Sequence, residues 1–325
     1  MPPAIPSAEK RFDFVALGEA MLEFNQTQPG QPNYLQGYGG DTSNAAIAAR
    51  AGAATAYLSR VGDDWFGAQL RGLWASEGVD ASAVETDPSR STGIYFVTHD
   101  ASGHRFSYLR AGSAASAMTP KWLPRAMLRQ ARILHVSGIS LGISPNAGDT
   151  VLAAMREAGA QGTLVSFDSN LRLKLWPLER ARQVIGEAIG LCDIFLPSQE
   201  DMDLLIGQQA PDVIVDWAHR KGAKTVVLKL GAQGCLVSDG RRRALLAARQ
   251  VPLVDATGAG DCFCGNLLAC LAAGAGVFEA ARYANVAASL AVQGFGAVAP
   301  LPRRAAVDAA LAAGDAAASM CQSQI

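Results

Sequence analysis

Two acids, Asp255 and Asp261, bracket a run of small residues in VDATGAGDCFCG (residues 254–265), just ahead of a compact apolar stretch, Cys262 to Ala273. Small residues let a backbone approach a ligand closely, and Gly258 and Gly260 can adopt turns that other residues resist. The apolar stretch reads as a buried helix. Gly-Ala-Gly-Asp therefore falls at a helix N-terminus, where unpaired N–H groups and the helix dipole favour an anion. Moving a phosphoryl group to a hydroxyl suits such a place. Fixed donors meet the charge that develops on the transferred oxygens, and an acid in the first turn can orient or deprotonate the acceptor. Asp261 also has a plainer reading as a helix cap, which, for such an acid taken alone, is the commoner role.

Other phosphate signatures are missing. The sequence has no GxxxxGK[ST] loop, no GxGxxG after its first strand and no protein-kinase catalytic loop, which leaves residues 258–260 for any phosphate. One competing motif is present: GISLG, Gly138 to Gly142, matches the GxSxG nucleophile elbow of esterases and puts Ser140 near a strand end. An elbow needs a helix at once, whereas ISPNAGD predicts a Pro-containing loop. The downstream histidine is His219, in helix-like VDWAHRKG, and no HGGG-type segment exists. The hydrolase reading is the weaker one.

The elements that must position these residues alternate between apolar strand-like runs and helix-like segments. FVALGEAMLEF (Phe14–Phe24) opens as a strand, and TSNAAIAARAGA after Gly39-Gly40 reads as a capped helix ending at Gly52. TAYLSRVG reads as a strand, and DWFGAQLRGLWASEG as an amphipathic helix. ARILHVSG, GTLVSFDSN, CDIFLPS and AKTVVLKLG are further short strands. This rhythm predicts an α/β fold, a mostly parallel sheet flanked by helices on both faces, with ligands beyond the C-terminal strand ends. STGIYFVTHDASGHRFSYLRAGSA (Ser91–Ala114) breaks the rhythm by alternating around a DASG turn, the pattern of a β-hairpin. Such a hairpin serves either as a lid or as extra edge strands. His135, inside RILHVSG, reads as a half-buried strand residue, and the Ala-rich segment after Pro302 as a weakly ordered tail.

Composition narrows the class. The 325 residues are 50% hydrophobic and 18% charged with a formal net charge of −1, which fits a globular protein and offers no basic field for nucleic acid or an anionic membrane. Arg241–Arg243 follow an Asp-Gly turn and read as a solvated hairpin rim. The N-terminus lacks the apolar core of a signal peptide, and the run from Leu267 to Phe278 is too short and Gly-rich to span a bilayer. Six cysteines lack framework spacing and four histidines form no metal pattern, consistent with reduced thiols in a cytoplasm.

DATGAGDCFCGNL resembles the C-terminal signature of the ribokinase-type (PfkB) carbohydrate kinases, and GGDTSNAAIAARAG with SRVGDDWFG resembles that family's N-terminal signature. Within the family, STGIYFV…RFSYLRAGSAAS, HVSGISLGIS, FDSNLRLKLW and KLGAQG are most similar to 2-keto-3-deoxygluconate kinases. The resemblance runs from about Val15 to Pro302 with the motifs in family order. It implies a ribokinase-like fold, a single kinase domain over residues 1–325, and a small β-sheet lid from about 14–40 and 91–114. The resemblance also implies a homodimer paired through the lid, and ATP and Mg²⁺ as cofactors.

The family's roles carry over residue by residue. Asp261 matches the catalytic base, and Gly258, Ala259 and Gly260 match the anion hole. Lys229, Gly231 and Gly234 in KLGAQG, with Ser198 and Asp255, match nucleotide-side positions. Gly39, Gly40 and Asn44 match sugar-contacting positions and the hinge of the lid. Tyr95, Tyr108, Arg110 and Arg172 match positions used for the acidic sugar. A planar guanidinium suits a carboxylate beside a carbonyl, although either arginine alone is more commonly a surface ion pair. One stretch departs from the family: where many members carry Asn-x-x-Glu, this chain has PSQED, so Ser198 and Asp201 replace the Asn and Glu, with Glu200 adjacent. Either acid can serve the metal, which in such sites travels mainly with the phosphates. The reaction implied is transfer from ATP to the 6-hydroxyl of 2-keto-3-deoxygluconate, with a neutral ketose such as fructose as the alternative.

Overall fold

The computed structural model describes residues 10–26, 28–49, 52–100 and 103–322. In chain order its strands are β1 (Phe12–Leu17), β2 (Met21–Gln26), β3 (Tyr34–Gly39), β4 (Thr55–Leu58), β5 (Arg60–Gly62), β6 (Glu85–Asp87) and β7 (Ile94–Asp100). There follow β8 (Gly103–Leu109), β9 (Ala131–Ser137), β10 (Leu164–Asp168), β11 (Ile194–Phe195), β12 (Thr225–Lys229), β13 (Cys235–Ser238) and β14 (Arg243–Leu246). Eight of them form the main sheet in the order β14-β13-β12-β11-β10-β9-β1-β4. Its strands from β4 to β12 are parallel, and β13 and β14 close one edge as an antiparallel hairpin.

Alternation along the strands fills both faces of this sheet. Phe14 and Ala16 of β1 enter one apolar cluster, and Val15 and Leu17 the other. Helices Asp41–Ala48, Ala259–Ala272 and Val277–Ala291 pack in the first cluster, and helices Pro145–Ala160 and Leu178–Leu191 in the second. A strand buried on two faces reads as a near-continuous apolar run, as these do. The chain leaves β1 toward β4 on one side and later returns to β9 on the other. The crevice beyond the C-terminal ends of β1 and β9 is therefore a switch point, where ligands of open α/β sheets bind.

The apolar run Phe14–Phe24 is two strands rather than one. β1 ends at Leu17, and after Gly18-Glu19-Ala20 the chain begins β2 in a separate four-stranded sheet ordered β3-β2-β7-β8. The small sheet, expected from residue 14, thus begins at Met21. β7 and β8 form the expected antiparallel hairpin, with Tyr95 directly opposite Tyr108, and the tip residues 101–102 lie outside the described residues. TAYLSRVG likewise divides between β4 in the main sheet and β5, which pairs only with β6.

Three further expectations need correction. The helix after Gly40 has no side-chain cap and ends at Ala48. His135 is 2% exposed rather than half-buried, with Nδ1 3.1 Å from the Ser166 hydroxyl, and burial pushes its pKa down to about 4. The Ala-rich tail is a helix, Arg304–Gln322, whose Val307 is fully buried in the core. Arg241–Arg243 do stand at the rim of the β13–β14 hairpin, where the amides of Arg241 and Arg242 donate to Asp239.

Candidate active site

A cleft of about 770 Å³ opens between the small sheet and the C-terminal edge of the main sheet. Of the residues expected from sequence, Gly40, Asn44, Tyr95, Tyr108, Arg110, Arg172, Ser198, Glu200, Asp201, Lys229, Gly231, Asp255, Gly258, Gly260 and Asp261 line it. Gly39, Ala259 and Gly234 do not. A Cβ on Gly39 would stand 2.3 Å from the Tyr95 hydroxyl, so that glycine makes room for an aromatic ring of the small sheet. A Cβ on Gly234 would meet the Leu246 carbonyl at 2.0 Å, so that glycine lets two strands of the edge hairpin approach. Ala259 is the first residue of the helix behind the cleft, with its amide donating to the Ala256 carbonyl.

That helix, Ala259–Ala272, starts from Gly258 at φ +76°, where a Cβ would also press on the Ala297 carbonyl at 2.8 Å. Glycine is required there on both counts. Asp255 shapes the approach: one carboxylate oxygen accepts from the Thr257 amide and hydroxyl at 2.9 and 2.6 Å, the other from the Gly296 amide at 2.9 Å. The first-turn amides of Gly260 and Asp261 have no carbonyl behind them in the helix, and a Cβ on Gly260 would meet nothing closer than Lys229 Nζ at 3.6 Å. The helix end is open to the cleft.

Asp261 does not cap this helix, for no side chain accepts from its first turn. Its carboxylate instead accepts from Asn44 Nδ2 at 2.8 Å. Burial and the nearby Asp41 carboxylate raise its pKa to about 7 against the opposing Asn44 hydrogen bond. A carboxyl poised there can take a proton near neutral pH. Asn44, a residue of the cleft wall, is itself 3% exposed, and its buried Oδ1 has no hydrogen-bond partner among the described residues.

Lys229, at the end of β12, donates to Asp168 Oδ2 at 2.6 Å. Burial alone would lower its pKa, but Asp168 with Cys264 and Asp201 holds it above the ordinary value, so it stays charged beside Gly260. Ser198 caps the helix Gln199–Ile206 by accepting from the Asp201 amide at 3.1 Å. Asp201 is buried, accepts from the Ser169 hydroxyl at 2.7 Å, and has its pKa raised by that burial. Glu200 is the exposed acid of the pair. No group of metal-ligating side chains occurs among the described residues, so a metal here would have to bring phosphate oxygens with it. Both acids line the cleft, Glu200 exposed and Asp201 buried with its carboxylate engaged by Ser169.

At the other end, Tyr95 and Tyr108 pack at 5.7 Å and Tyr95 donates to buried Glu23 at 2.5 Å. Arg110 is ion-paired with buried Glu19. Arg172 donates to the Leu171 carbonyl at 2.9 Å and is exposed on the cleft. Lys174 reaches across to the Phe106 carbonyl of β8 at 3.3 Å.

Sequence reasoning missed Asp41, Asp168, Asn170 and Lys174, all on the cleft. Asp41 Oδ2 accepts from Asn170 Nδ2 at 2.8 Å, and burial raises its pKa. The first three follow GYGG or sit in FDSN, at the C-terminal ends of elements, and the rule that ligands bind beyond strand ends was enough to find them. Ser140 was correctly demoted for an incomplete reason. The helix Gly138–Gly142 does begin directly after β9, but Ser140 is fully buried and donates to the Leu17 carbonyl at 2.9 Å, out of reach of any substrate.

The family model for pfkB family carbohydrate kinases matches residues 11–304. The chain belongs to that family. This kinase is 34% identical over 310 residues to the 2-dehydro-3-deoxygluconokinase of Thermoproteus tenax, covering 92% of this chain and 94% of that one. It is 32% identical over 311 residues to probable fructokinase-7 of Arabidopsis thaliana, covering 90% of each. Among solved structures, an Escherichia coli protein designated ribokinase II, in complex with ATP and Mg²⁺, superposes with a TM-score of 0.85 at 27% identity, covering 92% of the kinase and 98% of that chain. A Vibrio cholerae fructokinase with fructose, ADP and a calcium ion bound has a TM-score of 0.83 at 30% identity, covering 91% and 98%. The kinase thus has a ribokinase-like fold. No helix among its described residues is long and apolar enough to cross a membrane.

Proposed function

We propose that this carbohydrate kinase transfers the γ-phosphoryl group of ATP to the terminal 6-hydroxyl of 2-keto-3-deoxygluconate. The observation that carries the reading is one cleft joining an acid of raised pKa at an open helix N-terminus to Arg110, Arg172 and Lys174. A neutral sugar needs no such cluster of cations, whereas a 2-keto acid presents a carboxylate that planar guanidinium groups pair with. The acidic-sugar relative from Thermoproteus supports it. Fructose is the second reading, favoured by the similar identity to a fructokinase.

In the reaction so proposed, the carboxylate of the sugar lies toward Arg110 and Arg172, with Tyr95 and Tyr108 against its chain. Asn44 Oδ1 accepts a hydrogen bond from the sugar, and Asp261 takes the proton of the attacking hydroxyl. The Gly260 and Asp261 amides receive the charge on the transferred oxygens, with Lys229 as a further cation beside them. Ser198 and Gly231 border the nucleotide, and Asp255 holds its loop in shape. Mg²⁺, when bound, would neutralise phosphate charge, and Glu200 or Asp201 would hold its water shell. We read the whole chain as one kinase domain with the small sheet as its lid. Exposed Tyr34, Leu35 and Leu109 on that sheet favour pairing of two chains there. The free thiols of Cys192, Cys235, Cys264 and Cys270 favour a reducing cytoplasm. The test is ATP-dependent ADP release with keto-deoxygluconate, fructose and ribose side by side; a preference for fructose would replace the first reading by the second.

A further inference from the structure

Arg110 is an unusual cation for a substrate cleft, because a carboxylate of the protein already holds it. Glu19 and Arg110 form an ion pair in which the side chains are only 1% and 9% exposed. The Ser113 hydroxyl donates to the other oxygen of Glu19. Gly93 leaves the room for it: a Cβ at that position would stand 2.7 Å from Glu19 Oε1. Glu19 itself sits in the three-residue link between the main sheet and the small one, beyond the C-terminal end of β1. Arg110 belongs to the segment that leaves the small sheet after β8.

A buried ion pair is a poor device for stability, since desolvating both charges offsets most of their attraction. It is a good device for fixing a geometry. A guanidinium has five donors in a rigid fork, so one nitrogen set against Glu19 leaves other donors for a ligand. Arg110 lines the cleft, while Glu19 is absent from its walls. We infer that Glu19 is a positioning residue for substrate recognition, holding the Arg110 guanidinium so that its remaining donors face the sugar. This rests on the sugar-acid reading for the identity of the ligand, but not for the coupling between the two residues.

The experiment is a double-mutant cycle on KM with Glu19→Gln, Arg110→Ala and the double variant, on keto-deoxygluconate and on fructose. If Glu19 acts through Arg110, Glu19→Gln raises KM for the acid about tenfold, the size typical of coupled contacting residues, with a much smaller effect on kcat. In the Arg110→Ala background the same change adds nothing. Ser113→Ala, a milder loosening of Glu19, raises KM less and shows the same dependence on background, which keeps the test available if Glu19→Gln folds poorly. Equal KM factors in both backgrounds, unchanged KM in Glu19→Gln, or equal losses of kcat on both sugars would overturn the inference. Were fructose the preferred sugar, the sugar-acid reading would fail while the cycle, run on fructose, still decided the coupling; an Arg110→Ala variant unimpaired on both sugars would end it.

Discussion

Asn44 and Asp261, 217 positions apart in sequence, are joined by a 2.8 Å hydrogen bond between the first turns of two neighbouring helices. The bond uses the amide nitrogen of Asn44 and leaves its oxygen without a partner. One residue therefore orients the acid and keeps a buried acceptor unsatisfied at the wall of the cleft.

Replacing Asp261 by Asn keeps its shape and removes the base. kcat is expected to fall on the order of 10²–10⁴, the range for positioned acid–base groups, with ATP binding retained in a titration. Near wild-type turnover in the folded variant would remove Asp261 from the chemistry.

The same substitution has a pH-dependent effect on stability. The folded-state pKa of Asp261, about 7, lies above its ordinary value of 3.8. Ionising it in the folded protein is therefore unfavourable, and wild-type stability falls as pH rises between those two values. Asp261→Asn escapes that cost, so it is expected to melt at higher temperature than wild type at pH 8 and to lose the advantage by pH 4. Melting curves for both proteins across this range test it; an unchanged gap would mean the carboxyl is not strained.

Activity should follow the same group. With Asp261 required as a carboxylate, kcat/KM is expected to rise with pH through about 7 and level off above it. A flat profile from pH 5 to 8 would contradict the raised pKa.

Gly260→Val places branched carbons at the open helix end, where the present space is bounded only by Lys229 at 3.6 Å. The protein should fold and bind sugar but lose turnover. Unaltered kinetics would show that the phosphates lie elsewhere.

Arg172→Ala and Arg110→Ala should each raise KM for keto-deoxygluconate strongly, since breaking a buried charge-assisted contact costs roughly 2–5 kcal/mol. Fructose, lacking a carboxylate, should lose little more in either variant. Equal losses on both sugars, measured as kcat/KM, would favour the neutral-ketose reading.

Much of this was legible in the sequence because it is local. Apolar runs of strand length separated by helical periods fix the parallel sheet, and Gly-Ala-Gly-Asp before an apolar helix marks the helix end that opens on the cleft. What escaped was set by tertiary contacts. No local pattern says that Phe14–Phe24 must break at Gly18, because both halves are apolar and only the partners of β1 and β2 differ. Glu19 looked like any polar residue in a strand, and its buried pairing with Arg110 spans 91 positions. That Asp261 leaves its helix uncapped and turns to Asn44 is a contact between distant segments, which no local pattern carries.

The surroundings of Glu19 have a mechanical consequence. Its carbonyl would touch a Cβ on Gly40, where the chain leaves β3, its carboxylate would touch one on Gly93 ahead of β7, and it pairs with Arg110 after β8. Every covalent strut between the two sheets therefore passes one point. A change at Glu19 therefore bears at once on the passages of the chain into and out of the small sheet, while packing such as that of Phe24 on Phe66, ring centres 6.2 Å apart, holds that sheet elsewhere.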